Sequence, residues 1–467
     1  METGCAQEVV ELSIDSLSPR GYGVGACERT APLPPLPLEI AHVVPGDRVL
    51  VEMRRRMKGV RRGRLLDVLE ASPDRVETPC KHARVCGGCS WQQMAYAAQL
   101  REKERRVIEA FGSRDKLRPI LAAPQTFRYR NKMEFSFSEN RGGMRYLGLM
   151  IAQAEPYVYN TEECYLCNPW FSEVLQATRS WWEASGLKAY NPPKDEGTLR
   201  YITLREAVRT QGKMAILNVS GNPEFAPTRA QLDAFVLAIR AVAGEDISLF
   251  LRVHQTKKGR PTQFYEMLLS GPDHIVEELH LQGGKLSFKI SPSSFFQPNT
   301  LQAERLYDTA LGLLAPFKPS LVYDLYCGTG TLGMAASRTA DSVIGIELSP
   351  EAVLDAKENL QRNGITNCTF IQGDVGKTLT QLQASQTARR PDAVIVDPPR
   401  AGLDPLALEP VKALRPKVLL YVSCNPFTQA ENIRELRKVG YTIETLQPVD
   451  QFPHTYHIEN IALLVAK

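Results

Sequence analysis

The residue in this sequence that could most directly do covalent chemistry is Cys424. The apolar run Val418–Val422 stops at Ser423, Cys424, Asn425 and Pro426. A buried free cysteine is usually a small hydrophobe, but a thiol at the rim of a ligand site becomes a nucleophile once it is deprotonated. Downstream, FPHTYHIEN (452–460) offers Glu459, His454 and His457 as bases just ahead of a final apolar segment, IALLVAK. One cysteine and one base at a common rim suit the activation of pyrimidine carbon 5, a poor nucleophile. The thiolate adds to carbon 6 and carbon 5 then attacks an electrophilic methyl group. The base removes the carbon 5 proton, and elimination frees the cysteine.

A second group of sulfurs lies in CKHARVCGGC, where Cys80, Cys86 and Cys89 are spaced CX5CX2C around Gly87 and Gly88. Three cysteines this close can converge on one centre, and zinc and iron–sulfur both suit them. A fourth ligand must come from elsewhere, and ECYLCNP supplies Cys164 and Cys167. Five of the ten cysteines, Cys5, Cys27, Cys327, Cys368 and Cys424, are scattered. Cys327 in LYCG is expected to pack rather than react.

These residues need a frame. From about 318 the pattern is strand, glycine turn, helix, repeated: VYDLYCG, SVIGIELS, CTFIQGD, AVIVDPP and VLLYVSC are short apolar runs separated by helical stretches. This predicts a doubly wound α/β sheet with ligands at the strand C-terminal ends. In DLYCGTGTLG, Gly328 and Gly330 follow a strand and precede a helix, where a backbone can pass close to a ligand. Glu347 ends the next strand as a ribose acid, Asp374 ends the third toward an adenine edge, and Asp397 ends the fourth in VDPPRAG. The arrangement resembles class I S-adenosylmethionine-dependent methyltransferases. Arg400 stands where the amino-group methyltransferases carry an aromatic residue after DPP, which disfavours that chemistry.

Upstream, residues 8–72 read as short strands with glycine and proline joints, a small β-barrel. MRRRMKGVRRGRL (53–65) carries Arg54, Arg55, Arg56, Lys58, Arg61, Arg62 and Arg64 with no acid, as phosphate contacts require. MAYAAQLREKERRVIEAFG and FSEVLQATRSWWEASG are predicted helices, the first stopping at Gly112. The 467 residues allow roughly three domains of ~150 residues, and the net charge is +4. No apolar run is long enough for a membrane span and the N-terminus has no secretory pattern, so a cytoplasmic protein is expected.

YVSCNP, FPHTYHIEN, DLYCGTGTLG, VDPPRAG and SPSSFFQPN together resemble the RNA (uracil-5-)-methyltransferase family, whose members make 5-methyluridine in tRNA or ribosomal RNA. The resemblance implies Cys424 as nucleophile and Glu459 as the base at carbon 5. It implies S-adenosylmethionine bound by Gln297, Tyr326, Glu347 and Asp397, with Phe295 near the target uracil. Members with an N-terminal TRAM barrel carry a 4Fe–4S cluster on the cysteine pattern seen here, which implies Cys80, Cys86, Cys89 and, in preference to Cys167, Cys164. In FRYRNKMEFSF, Arg130 and Lys132 are expected on RNA backbone. The expected organisation is a TRAM barrel (1–72), an α+β iron–sulfur central domain (73–285) and a Rossmann-like methyltransferase domain (286–467). The expected partner is RNA, with ribosomal RNA favoured over tRNA, and the protein itself is expected to be a monomer. The rivals are an amino-group or cytosine-C5 methyltransferase and a non-catalytic RNA-binding protein.

Overall fold

A computed structural model describes residues 8–27, 36–54, 61–154, 156–256, 259, 262–385 and 389–467. The C-terminal sheet has seven strands: β1 (Leu321–Leu325), β2 (Ser342–Glu347), β3 (Cys368–Gln372), β4 (Ala393–Val396), β5 (Val418–Ser423), β6 (Tyr441–Val449) and β7 (Glu459–Ala466). Their order is β3-β2-β1-β4-β5-β7-β6. The first five are parallel, as their apolar runs predict, and every residue of β1, β4 and β5 is buried. Strands buried on both faces carry no alternation. The departure from an all-parallel sheet is β7, which runs antiparallel between β5 and β6. The connection 450–458 is too short for a parallel crossover, which needs a dozen or more residues.

Asn425 and Pro426 open the helix Pro426–Lys438. Asn425 is its N-cap, accepting from the Phe427 N–H at 3.2 Å, and Pro426 occupies the first turn, where it has no N–H to lose.

Residues 8–70 form a six-stranded sheet whose neighbours are antiparallel except for Leu36–Ile40 against Arg61–Glu70. It curls around Leu12, Ile14, Leu38, Ile40, Val43, Val49 and Val51. Arg55, Arg56 and Lys58 of the basic run lie outside the described residues. A second six-stranded sheet, from Lys132–Glu139 to Gln263–Ser270, shares its core with the helices Pro169–Ser185 and Arg229–Ala243. The hairpin Ile275–Leu281/Gly284–Ile290 instead buries Leu279, Leu286 and Phe288 in one core with Val322 of β1 and Ile395 of β4. The expected 285/286 boundary falls inside this hairpin. No helix among the described residues is long and apolar enough to cross a membrane.

The helix Tyr96–Phe111 ends at Gly112, whose φ of 69° is the left-handed stop the sequence predicts. It packs on the helix Pro426–Lys438 and on the β6–β7 connection. Lys103 and Asp450 are fully buried and paired at 2.5 Å. Lys103 Nζ also donates to the Phe452 carbonyl at 3.0 Å, and the Tyr96 hydroxyl donates to Asp450 Oδ2 at 2.8 Å. Burial pulls the Lys103 pKa down, and Asp450 opposes that shift. Removing one partner of such a pair strands a buried charge, at about 3–5 kcal/mol. Lys103→Met should lower the denaturant-unfolding free energy by roughly that amount. Lys103→Met/Asp450→Asn should lose less, because no charge is left behind; equal losses in the two variants would contradict the assignment.

Candidate active site

The strand ends of the C-terminal sheet form a rim. Tyr326 leaves β1 with φ 62° and its N–H donates to the Ile346 carbonyl at 2.9 Å. The Gly328 N–H donates to Glu347 Oε2 at 3.0 Å and the Ser349 N–H to Oε1 at 2.8 Å, so one carboxylate ties the β1 and β2 loops together. Each oxygen retains a lone pair for a ribose hydroxyl. Gly330 is required by packing: at φ 83°, an added Cβ would come within 2.3 Å of Phe370. Gly328 is different. At φ 54° its missing Cβ faces open space, which leaves room for a ligand over the backbone. Asp374 caps the helix Val375–Ala384, accepting from the Lys377 N–H at 3.0 Å through Oδ1. A structural role therefore explains one of its oxygens and leaves Oδ2 for a ligand.

Acids crowd this rim. Burial pushes Asp397 up to about 7, and burial followed by repulsion from Asp397 pushes Asp324 up to about 8. Tyr326 is pushed up to about 12 by burial, then by Asp404, Asp374 and Glu347. Tyr307, a buried residue of the helix Thr300–Leu314, lies close enough to Asp397, Asp324 and Glu459 for their charges to raise its pKa. Nothing in its local sequence marks it. Acceptors at the β2 and β3 ends, with open space over Gly328, suit a group that presents ribose hydroxyls and an adenine amino group.

Strand register brings the Cys424 thiol and the Glu459 carboxyl together. β5 and β7 pair Ser423 with Asn460, so Cys424 and Glu459 are the next residues outward on adjoining strands. Gln429 Nε2 donates to the Tyr421 and Asn460 carbonyls at 2.8 and 3.0 Å, binding the two strand ends to the following helix. Cys424 is half-buried and Glu459 is 5% exposed. The Cys424 thiol is pushed up to about 11 by burial and by Glu459, against the pull of Arg400. Glu459 is raised well above the usual carboxylate range by burial and Asp397, again opposed by Arg400. Arg400 is thus the cation shared by the two groups. Its Nη2 lies 2.7 Å from His457 Nδ1, and its carbonyl accepts from Asn425 Nδ2 and Thr428 Oγ1.

The two histidines offered as rival bases have other partners. His454 is buried against Phe127 and Gln99, with Nδ1 3.1 Å from Gln99 Nε2, and burial lowers it to about 4. His457 is lowered to about 3 by burial and by Arg400. Both are neutral near pH 7.

Phe295 and Phe296 have opposite fates. Phe296 packs on Phe288, whereas Phe295 is 67% exposed. Arg205 pins their turn, donating to the carbonyls of Ser291, Pro292 and Ser294. Asp355 accepts from the Ser291 and Ser294 hydroxyls. Sequence gave no signal for either residue. Gln297 is buried behind this turn, its Oε1 facing Gln451 Nε2 at 3.4 Å. Phe295 lines a cavity of about 450 Å3 with Arg130, Lys132, Cys86, Cys89 and Cys164. Lys132 pairs with Glu134 at 3.1 Å and is partly exposed. The Arg130 guanidinium lies over Phe452 and beside Tyr129, Cys89 and Cys164, and its Nε is buried without a hydrogen-bond partner.

Cys80, Cys86, Cys89 and Cys164 are free thiols close enough to feel one another's charge. Cys167 lies to one side, in contact with Cys164 and near Glu206 and Arg128. Among the described residues, no three His, Cys, Asp or Glu side chains are arranged to hold a single metal ion.

The charge pattern around Cys424 has a measurable consequence. Arg400→Gln removes a cation that lowers the thiol pKa, so the thiolate fraction at fixed pH must fall. Alkylation of Cys424 by iodoacetamide should slow by on the order of ten-fold at pH 8, with its pH profile displaced upward. An unchanged profile would show that Arg400 does not act on the sulfur.

Residues 259–467 match the family model of the tRNA (uracil-5-)-methyltransferases. The chain is 45% identical over 441 residues to an RNA methyltransferase of Protochlamydia amoebophila, covering 91% of this chain and 99% of that one. It is 35% identical over 463 residues to an RNA methyltransferase of Caldanaerobacter subterraneus, covering 98% of each. Among solved structures, the tRNA (uracil-54, C5)-methyltransferase of Pyrococcus abyssi, in complex with S-adenosyl-L-homocysteine, superposes with a TM-score of 0.72 at 25% identity. That likeness covers 98% of this chain and 100% of that one. The chain belongs to the tRNA (uracil-5-)-methyltransferase family, the S-adenosylmethionine-dependent enzymes that methylate carbon 5 of uracil in RNA.

Proposed function

We propose that this enzyme methylates a uridine of ribosomal RNA through a covalent bond from Cys424 to uracil carbon 6, with Glu459 as the base. The observation that carries the mechanism is the β5–β7 register, which sets Cys424 beside Glu459 at the strand ends with Arg400 next to both. Bound at the Gly328–Glu347 end of the rim, with Tyr326, Asp374, Asp397 and Gln297 around it, S-adenosylmethionine supplies the methyl group. Arg400 favours the Cys424 thiolate, which adds to carbon 6 and turns carbon 5 into a nucleophile. After carbon 5 is methylated, Glu459 takes its proton, and the electron pair released expels the thiolate. The raised pKa makes the Glu459 anion a stronger base, and Arg400 opposes the burial that favours its protonated form. The target base has to leave its stack to reach the sulfur, and the exposed Phe295 ring gives it a surface beside the cleft.

Cys80, Cys86, Cys89 and Cys164 are proposed to hold a 4Fe–4S cluster. The support is four mutually adjacent free thiols with Arg130 as the nearby cation; bound there, the cluster would fasten the loop 80–89 to the segment before the helix Pro169–Ser185. The strands of 8–70 are proposed as the RNA-binding TRAM barrel of a three-domain cytoplasmic monomer. Barrel and cysteines together support the ribosomal reading. The likeness to the Pyrococcus abyssi tRNA enzyme favours tRNA instead.

Tritium release from uracil-5-labelled ribosomal RNA and tRNA transcripts decides between the two. Release from neither, by the cluster-loaded protein, overturns the function. Cys424→Ala should abolish release. Glu459→Gln should instead accumulate an RNA–protein adduct that survives denaturing electrophoresis, because methylation precedes the lost step. Cys164→Ala should lower bound iron and visible absorption, whereas Cys167→Ala should retain both; the reverse result would exchange their roles.

A further inference from the structure

A cavity of about 790 Å3 lies away from the catalytic rim, in the seam between the N-terminal sheet and the cysteine loop. His42, Arg62 and Arg64 line it from the sheet side, Arg84 from the cysteine loop, and Ile151 and Tyr157 from the segment that closes it. That segment is tied to the cysteine loop through backbone bonds from Gly87 to Met150 and from Ala152 to Val85, at 2.9 and 2.8 Å. The loop is therefore a partition. One face, with Cys86 and Cys89, borders the Phe295 cleft, and the other, with Arg84, borders the seam.

The seam has the composition of a ligand site. Tyr157 is 69% exposed. Both ring nitrogens of His42 and the Nε of Arg62 are buried with no hydrogen-bond partner, a cost that a polar ligand relieves. Burial, with Arg75 and Arg84 nearby, holds His42 neutral at about 4, so its ring presents one donor and one acceptor. The arginines outnumber the acids. Glu52 is shared by Arg54 and Arg64 at 2.8 and 2.7 Å, Asp67 accepts from the Val68 N–H, and Arg84 makes no ion pair among the described residues.

We propose that this seam is a second nucleotide site, in which an unpaired base of the substrate RNA lies on the Tyr157 ring and hydrogen-bonds His42 while its phosphate is held by Arg62, Arg64 and Arg84. Exposed aromatic faces take any base by stacking, and clustered arginines take the backbone. The proposal rests on the RNA substrate inferred above. It adds that the enzyme grips a flanking nucleotide on the far side of the cysteine loop from the target uracil.

The test uses the full-length, cluster-loaded protein and a 4-thiouridine-substituted ribosomal RNA transcript. Photocrosslinking followed by peptide mapping should find the peptide containing Tyr157 as well as that containing Phe295. In filter binding, Tyr157→Ala and Arg84→Ala should each weaken the transcript about ten-fold, and Tyr157→Phe, which keeps the ring, should restore affinity. S-adenosylhomocysteine affinity checks that each variant is folded. Wild-type RNA affinity in Tyr157→Ala overturns the site, whatever the cross-links. Weakening by Arg84→Ala alone overturns the base-stacking part and leaves a backbone contact. Absence of tritium release by the wild-type protein counts against uracil methylation, a separate failure, since the seam is read from binding.

Discussion

The antiparallel insertion of β7 between β5 and β6 is the constraint on which the active site depends. Five parallel strands can present a cofactor site by themselves, because all their C-terminal ends face one way. They cannot easily present a second reactive group beside Cys424, since the next parallel strand would arrive only after another crossover helix. A reversed strand begins where β5 ends. Glu459, the first residue of β7, therefore meets Cys424, just beyond the last residue of β5. The same short connection makes 450–458 part of the site, and the buried Lys103–Asp450 pair holds it against the helix Tyr96–Phe111. A helix far upstream in sequence thereby supports the connection that leads into Glu459.

The electrostatics of the rim follow from that crowding. Asp324, Asp397, Glu459 and Cys424 share a low-dielectric edge, where each negative charge disfavours the others. Arg400 is the counterweight. It occupies the position after DPP at which an aromatic residue would serve a different acceptor, so one side chain both disfavours the amino-group chemistry and favours a thiolate. The thiol, pushed up to about 11, is weakly nucleophilic at neutral pH, and Arg400 pulls against that shift.

Much of this site was legible in the chain, for identifiable reasons. The parallel strands were readable because residues buried on both faces give unbroken apolar runs. The glycine loop and the acids at strand ends were readable because their spacing is set by the strand–turn–helix unit. Gly112 was readable as a helix stop. What escaped were residues whose role is to hold something distant: Arg205 under the Phe295 turn, Lys103 under the β6–β7 connection, and Tyr307 behind the acids. Arg130 was expected on RNA backbone, but its packing over Phe452 and beside Tyr129 and the cysteines could not be read from the sequence, because whether an arginine is solvated or buried depends on what packs over it. Phe295 and Phe296 were indistinguishable in sequence, and a single turn sends one outward and the other into the core.

The sequence by itself determined the strand–helix alternation, the cofactor-type rim, the cysteine pattern and a strand-end cysteine, because each is written in local periodicity or spacing. Only the tertiary structure decided which residues meet. It put Glu459 rather than His454 or His457 in register with Cys424, set Cys164 rather than Cys167 among the other thiols, and opened a cationic seam behind them. Such choices depend on strand order and on chain segments hundreds of residues apart, and no local pattern records them.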